Sequence, residues 1–244
     1  MGPRITTALF FIFLIVCVTG QAQDKRALKL ADAVMESMGG AENWEKTRYL
    51  QWTFFGSRKW WWDKWTGNVR MESQRDDLRI AMNIHDKTGK VFRMGKEEAS
   101  PDSLNHFLDR GYRMWINDSY WLVMPFKLRD PGTSLSYLGR DTTTTGQPAE
   151  VLELTFADVG VTPDNKYHIY VDPDQKLVVQ WNYFRNYTDP EPRFRSAWTN
   201  YRRYGQILLS DGRGDRSLAD LAVYDHLPAA LFERVDQPAG QIIE

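Results

Sequence analysis

From Tyr49 onward, apolar residues recur at every second position, and turn-forming residues interrupt them at short intervals. The clearest stretch is Leu78, Ile80, Met82 and Ile84, with Arg79, Asn83 and His85 in between. A period of two places one set on each face of a strand. A chain written this way for most of its length cannot be a helical bundle. It predicts an antiparallel meander with one face toward a core.

The predicted strands cover residues 49–55, 60–65, 68–73, 78–85 and 91–94, then 134–140, 151–157, 166–171, 176–187 and 194–204, with a short apolar run at 207–209. Gly56-Ser57, Thr66-Gly67, Arg75-Asp76-Asp77 and Asp172-Pro173-Asp174 supply the turns, because these residues tolerate positive φ or hydrogen-bond their own backbone. Residues 210–216 read as a polar loop, and residues 227–232 as one helical turn plugging an end of the sheet.

Two regions keep a helical period. Leu28, Ala31, Met35 and Met38 are spaced by three and four residues before Gly39-Gly40, which ends a helix over 25–38. A shorter helix is expected over 41–46. In mid-chain, Ser100-Pro101-Asp102 is a helix start, with a Ser cap and a proline where no amide bond is lost. That helix is expected to reach about residue 115, and residues 120–124 extend its pattern as far as Pro125.

Residues 1–22 have the order of a secretory signal peptide: Arg4, an apolar run from Ala8 to Val18, then small and polar residues, with cleavage expected after Gly20 or Ala22. The run is shorter than the ~20 apolar residues of a membrane-spanning helix. Residues 23–244 then form a single exported domain in the periplasm or cell envelope. Cys17 is the only cysteine of the chain, so the domain has no disulfide and no thiolate metal site. A net charge of −1 offers no basic field for nucleic acid.

Three stretches carry a family resemblance: Met38-Gly39-Gly40-Ala41-Glu42-Asn43-Trp44, Trp61-Trp62-Asp63-Lys64-Trp65-Thr66-Gly67, and Trp121-Leu122-Val123-Met124-Pro125-Phe126-Lys127-Leu128-Arg129-Asp130-Pro131-Gly132. With the order of elements, they make the chain resemble the LolA/LolB-like superfamily of periplasmic lipoprotein carriers, in an uncharacterised Bacteroidetes-type branch. The resemblance implies an α+β fold: a strongly curved antiparallel β-sheet, or half-barrel, with an N-terminal helix and a central helical insert over its concave face. It also implies a non-enzymatic protein that holds a lipid, or the acyl chain of a lipidated protein, beneath residues 115–126 as a movable cover. Contacts with the membrane or envelope proteins would be transient.

The residues themselves add an aromatic signal. Five of the ten tryptophans, Trp52, Trp60, Trp61, Trp62 and Trp65, fall in one predicted hairpin and its edge. Alternation puts Trp61 and Trp65 on one side and Trp60 and Trp62 on the other. One of these sides is core. The other is either covered by a helix or lines a cavity.

The candidate ligand-lining set is Trp61, Trp65, Ile80, Met82, Met94, Trp121, Met124 and Trp181. Aromatic rings and pliable methionines suit an acyl chain. The four histidines, His85, His106, His168 and His226, form no compact metal pattern, and neither a nucleophile elbow nor a cysteine nucleophile is present. No catalytic residue, metal or cofactor is therefore assigned. Two other readings stay open: an envelope hydrolase of glycan or lipid, and an interaction module using an aromatic surface.

Overall fold

The computed structural model describes residues 24–73, 75–157 and 161–243. The predicted signal peptide lies outside them. No helix among the described residues is long and apolar enough to cross a membrane.

The fold is α+β. It opens with α1 (Lys25–Ser37) and α2 (Ala41–Lys46). Asp24 caps α1 by accepting from the amides of Arg26 and Ala27 at 2.9 and 3.2 Å. The Gly39-Gly40 pair between the helices has a steric cause. Gly39 sits at φ 117°, and a Cβ there would stand 2.5 Å from the Gln206 carbonyl oxygen, while the neighbouring Met38 carbonyl accepts from the Leu208 amide.

The meander follows as β1 (Tyr49–Phe54), β2 (Arg58–Asp63), β3 (Asn68–Ser73), β4 (Leu78–Asn83), β5 (Gly89–Arg93) and β6 (Lys96–Glu97). Every neighbouring pair is antiparallel. The long helix α3 (Pro101–Val123) and a 3-10 turn (Met124–Lys127) lead to β7 (Thr133–Thr142), β8 (Pro148–Phe156), β9 (Lys166–Val171), β10 (Val178–Phe184) and β11 (Phe194–Ala197), a second antiparallel sheet.

The residues predicted as one strand over 194–204 form two. At Trp198, whose amide donates to the Val179 carbonyl at 2.9 Å, the chain leaves the second sheet. It continues as β12 (Thr199–Tyr204), which pairs with β13 (Ile207–Arg213), and β13 with β14 (Arg216–Ser217). The predicted loop over 210–216 is therefore largely strand. Finally β15 (Ala219–Tyr224) returns to pair with β1, Tyr49 facing Tyr224, and makes the first sheet seven-stranded.

The concave faces of the sheets share one apolar core. Leu78, Ile80 and Met82 are buried in it, with Ile84 packed at its edge. Trp60 and Trp62 point the same way, and Trp52 stacks on its cross-strand partner Trp60 at 6.0 Å. Trp61 faces the opposite side, where Tyr49, Leu227, Leu231 and Ala239 bury it. The predicted C-terminal turn exists as a 3-10 turn (Ala229–Phe232), followed by α4 (Gly240–Ile243). Arg70, on the same outer face, holds this tail by donating to the carbonyls of Leu231, Arg234 and Gln237, and Glu72 accepts from the Ala239 amide. A buried guanidinium is tolerable because it is hydrogen-bonded on every side and paired with Glu72.

Candidate functional site

Helix α3 positions the site. Twenty-three residues at ~1.5 Å each give a rod of about 34 Å, long enough to lie across both sheets. Its middle is pinned to the first sheet. Asp118, wholly buried, accepts two bonds from Arg58 at 2.7 and 2.9 Å and one from the Trp60 indole at 2.9 Å. Two turns earlier, Gly111 brings the helix so close to β4 that an added Cβ would stand 3.0 Å from Ile80 Cδ1 and 3.3 Å from Met82 Sδ.

The end of the helix is held from below. Arg213 donates to the Trp121 carbonyl at 2.5 Å while stacked 3.6 Å over the Trp198 ring. A cation among the last carbonyls of a helix answers both their unmet acceptors and the negative end of the helix dipole. Burial pulls the Arg213 guanidinium's proton affinity down, opposed by Tyr201 and Asp211.

Beyond these anchors the helix does not touch the second sheet closely. Large rings intervene: Tyr120 lies 5.6 Å from Tyr167 and 6.0 Å from Trp181, and Trp121 meets Trp181 edge-on at 4.6 Å. Between α3, the loop through Asp130 to Thr133 and strands β8 to β11 they leave a partly enclosed hollow of about 470 Å³. Its walls are mainly aromatic: Trp115, Tyr120, Trp121, Phe156, Tyr167, Trp181, Tyr183 and Phe194. Polar groups sit among them. Asn165 is tied to Tyr183 and Thr162 at 3.2 and 2.7 Å, and Lys127 and Asp130 form an ion pair.

Three donors of residues that line the hollow have no partner. The Tyr120 hydroxyl and the indole nitrogens of Trp115 and Trp181 are buried and unpaired. Burial, and then Tyr167 and Asp130, push the Tyr120 phenol well above its ordinary range. Burial likewise raises Tyr167. Both phenols are neutral.

Of the eight residues singled out from the sequence, Trp121 and Trp181 line this hollow. Ile80, Met82 and Met124 are core residues, between 0% and 3% exposed. Trp61 is buried under the C-terminal tail. Trp65 belongs to the β2–β3 turn rather than the strand; it is 58% exposed, and its indole donates to the Glu45 carbonyl. Met94 is 71% exposed in the turn after β5.

Within the expected cover over 115–126, Leu122, Val123, Met124 and Phe126 are buried in this conformation, and Phe126 stacks on Trp44 at 4.3 Å. Sequence reasoning missed Tyr120, Phe156, Tyr167 and Tyr183. Their aromatic character on adjacent strands was the available signal.

His168 pairs with Glu153 at 3.3 Å on the convex face of the second sheet, away from the hollow's walls. Among the described residues, no three His, Cys, Asp or Glu side chains group as a metal site.

Neither a protein-family model nor a curated protein matches this sequence. Solved structures do. One is a domain described as an outer membrane lipoprotein-sorting protein, from Vibrio parahaemolyticus, at 9% identity and a TM-score of 0.43, covering 87% of this chain and 99% of the other. A DUF1329 family protein from Desulfovibrio piger aligns at 11% identity and a TM-score of 0.45, over 85% and 97% of the two chains. MucB aligns at 15% identity and a TM-score of 0.28, over 86% of this chain and 63% of its own. Likeness at this level names no function for this chain.

Proposed function

We propose that the domain is an exported, non-enzymatic binding protein that holds the acyl chain of a lipid, or of a lipidated protein, in the hollow between α3 and the second sheet. The observation that carries this reading is the aromatic wall around about 470 Å³. That is about three times the ~150 Å³ of an engineered cavity that takes up benzene, so it has room for a single acyl chain. Each methylene moved from water into such a site contributes about 0.8 kcal/mol. The walls stand assembled in this structure, with the residues that follow α3 buried.

Titration with the neutral apolar fluorophore N-phenyl-1-naphthylamine tests the reading. Saturable one-to-one uptake is expected, weakened at least tenfold by Ile116→Phe, which fills the hollow from the helix side. Absence of saturable uptake refutes it. Native mass spectrometry of protein purified from its host envelope should show a mass increment released by organic solvent.

A further inference from the structure

An unpaired strand edge is a row of amide donors and carbonyl acceptors open to another chain, and folded proteins blunt most of theirs. Strands β6 and β14 have two residues each, and β7 is bulged between Tyr137 and Gly139, with Asp24 accepting from the Tyr137 amide at 2.7 Å. The outer edge of β12 is different. On that side the Trp198 amide donates to the Val179 carbonyl, β10 begins beside it at Val178, and β12 runs on with no strand next to it. Its pairing with β13 keeps one register from the Thr199–Gly212 pair to the Tyr204–Ile207 pair.

The turn decides which backbone groups are exposed there. Gly205 and Gln206 form a two-residue loop, so Tyr204 and Ile207 are the bonded pair that closes the hairpin. Alternation directs the amides and carbonyls of Tyr204 and Arg202 toward β13, and those of Arg203 and Tyr201 outward. Leu208, opposite Arg203, obeys the same parity: its amide donates to the Met38 carbonyl and not to β12.

The side chains select the partner. Residues 193–209 hold Arg193, Arg195, Arg202 and Arg203 and no carboxylate, Asp211 being the next acidic residue. All four arginines are exposed. Among the described residues, only Arg195 forms an ion pair, with Glu191 at 3.5 Å, and Arg203 donates to the Gln206 carbonyl at 3.3 Å. Arg202 and Arg203 are successive strand residues and project from opposite faces. A second copy of β12 laid on this edge would set arginine against arginine, whereas an extended acidic segment would set carboxylates beside both.

We infer that the outer edge of β12 is a docking site for an acidic polypeptide segment, which adds a strand through the backbone of Tyr201 and Arg203 and places its carboxylates beside Arg202 and Arg203. This surface is separate from the hollow, whose walls include neither arginine.

Fluorescence anisotropy of a labelled peptide, Thr-Glu-Glu-Thr-Glu-Glu-Thr, tests the assignment on the wild-type chain. Saturable binding is expected, at least tenfold tighter than that of the same peptide with lysine in place of glutamate. Arg202→Glu combined with Arg203→Glu should weaken it at least tenfold, with the circular dichroism spectrum of the wild-type retained. Strand addition has its own signature in hydrogen exchange, read on the unaltered protein. Saturating peptide should slow the Tyr201 and Arg203 amides at least tenfold and leave Arg202, already bonded to β13, unchanged. Absence of saturable binding, equal binding of the lysine peptide, or indifference to the double substitution overturns the inference. Binding that leaves the Tyr201 and Arg203 amides exchanging as before also overturns it, and displacement by phosphatidylglycerol vesicles would then mark a charge contact with a lipid surface.

Discussion

Two sides of α3 meet the protein in opposite ways. Toward the first sheet, Gly111 removes the side chain that would keep the helix away from Ile80 and Met82, and a buried ionic clamp at Asp118 fixes the approach. Toward the second sheet, the helix presents Trp115, Tyr120 and Trp121, and the facing strands present Phe156, Tyr167, Trp181 and Tyr183. Rings opposed to rings cannot interdigitate as aliphatic side chains do, so they meet both stacked and edge to face and leave a space behind them. A single rigid helix thus makes a filled contact and a hollow one, and the difference lies in side-chain size rather than in mobility.

The strongest way to break this contrast is to release the filled side. Asp118→Ala strands Arg58 and the Trp60 indole without their acceptor, and should cost about 3–5 kcal/mol in urea unfolding, the usual result of removing one partner of a buried pair. Replacing Arg58 and Asp118 together with leucines should cost clearly less. Equal losses would mean that the pair itself stabilises the fold and that the cost of Asp118→Ala does not come from a stranded charge.

Adding volume on each side gives the next comparison. Gly111→Leu must displace Ile80 and Met82, so a loss of about 1–3 kcal/mol is expected from overpacking. Ile116→Phe, only about one and a half turns further along, projects into the hollow and should change stability by no more than about 0.5 kcal/mol. If both substitutions cost the same, the space beside Ile116 is not free volume.

The smallest effect lies on the convex face of the second sheet. Burial lowers the proton affinity of His168 below the ordinary 6.5, although Glu153 opposes the shift. The unfolded chain therefore binds this proton more readily than the folded one. The contribution to stability is complete above about pH 6.5 and is lost as pH falls from there toward the lower folded value. His168→Gln should flatten that limb of a melting-temperature profile without changing uptake of the apolar probe.

Local chemistry explains why much of this was legible. The strand over Asn68–Ser73, the parity that sends Trp60 and Trp62 one way and Trp61 the other, and the helix start at Ser100-Pro101 all follow from neighbouring residues. Asp118 was not legible. Nothing in its neighbours marks Asp118, and only its approach to Arg58 and Trp60, far earlier in the chain, makes it an anchor. Ser210 to Arg213 read as a loop because they are polar. They are strand because the Ser210 hydroxyl donates to the Thr199 carbonyl and Arg213 to the end of α3.

By itself the sequence determined an α+β chain of antiparallel strands around a mid-chain helix, since period, turn residues and caps act over a few positions. The tertiary structure decided which aromatic residues stand at the hollow. Trp61 and Trp65 carry the same side chain as Trp121 and Trp181, yet one is sealed beneath the C-terminal tail and the other lies in an exposed turn. A cavity is a relation among residues distant in the chain, here Trp121 on a helix and Trp181 on a strand. Alternation along a strand says which residues share a face, but not what lies opposite that face or how far away it is.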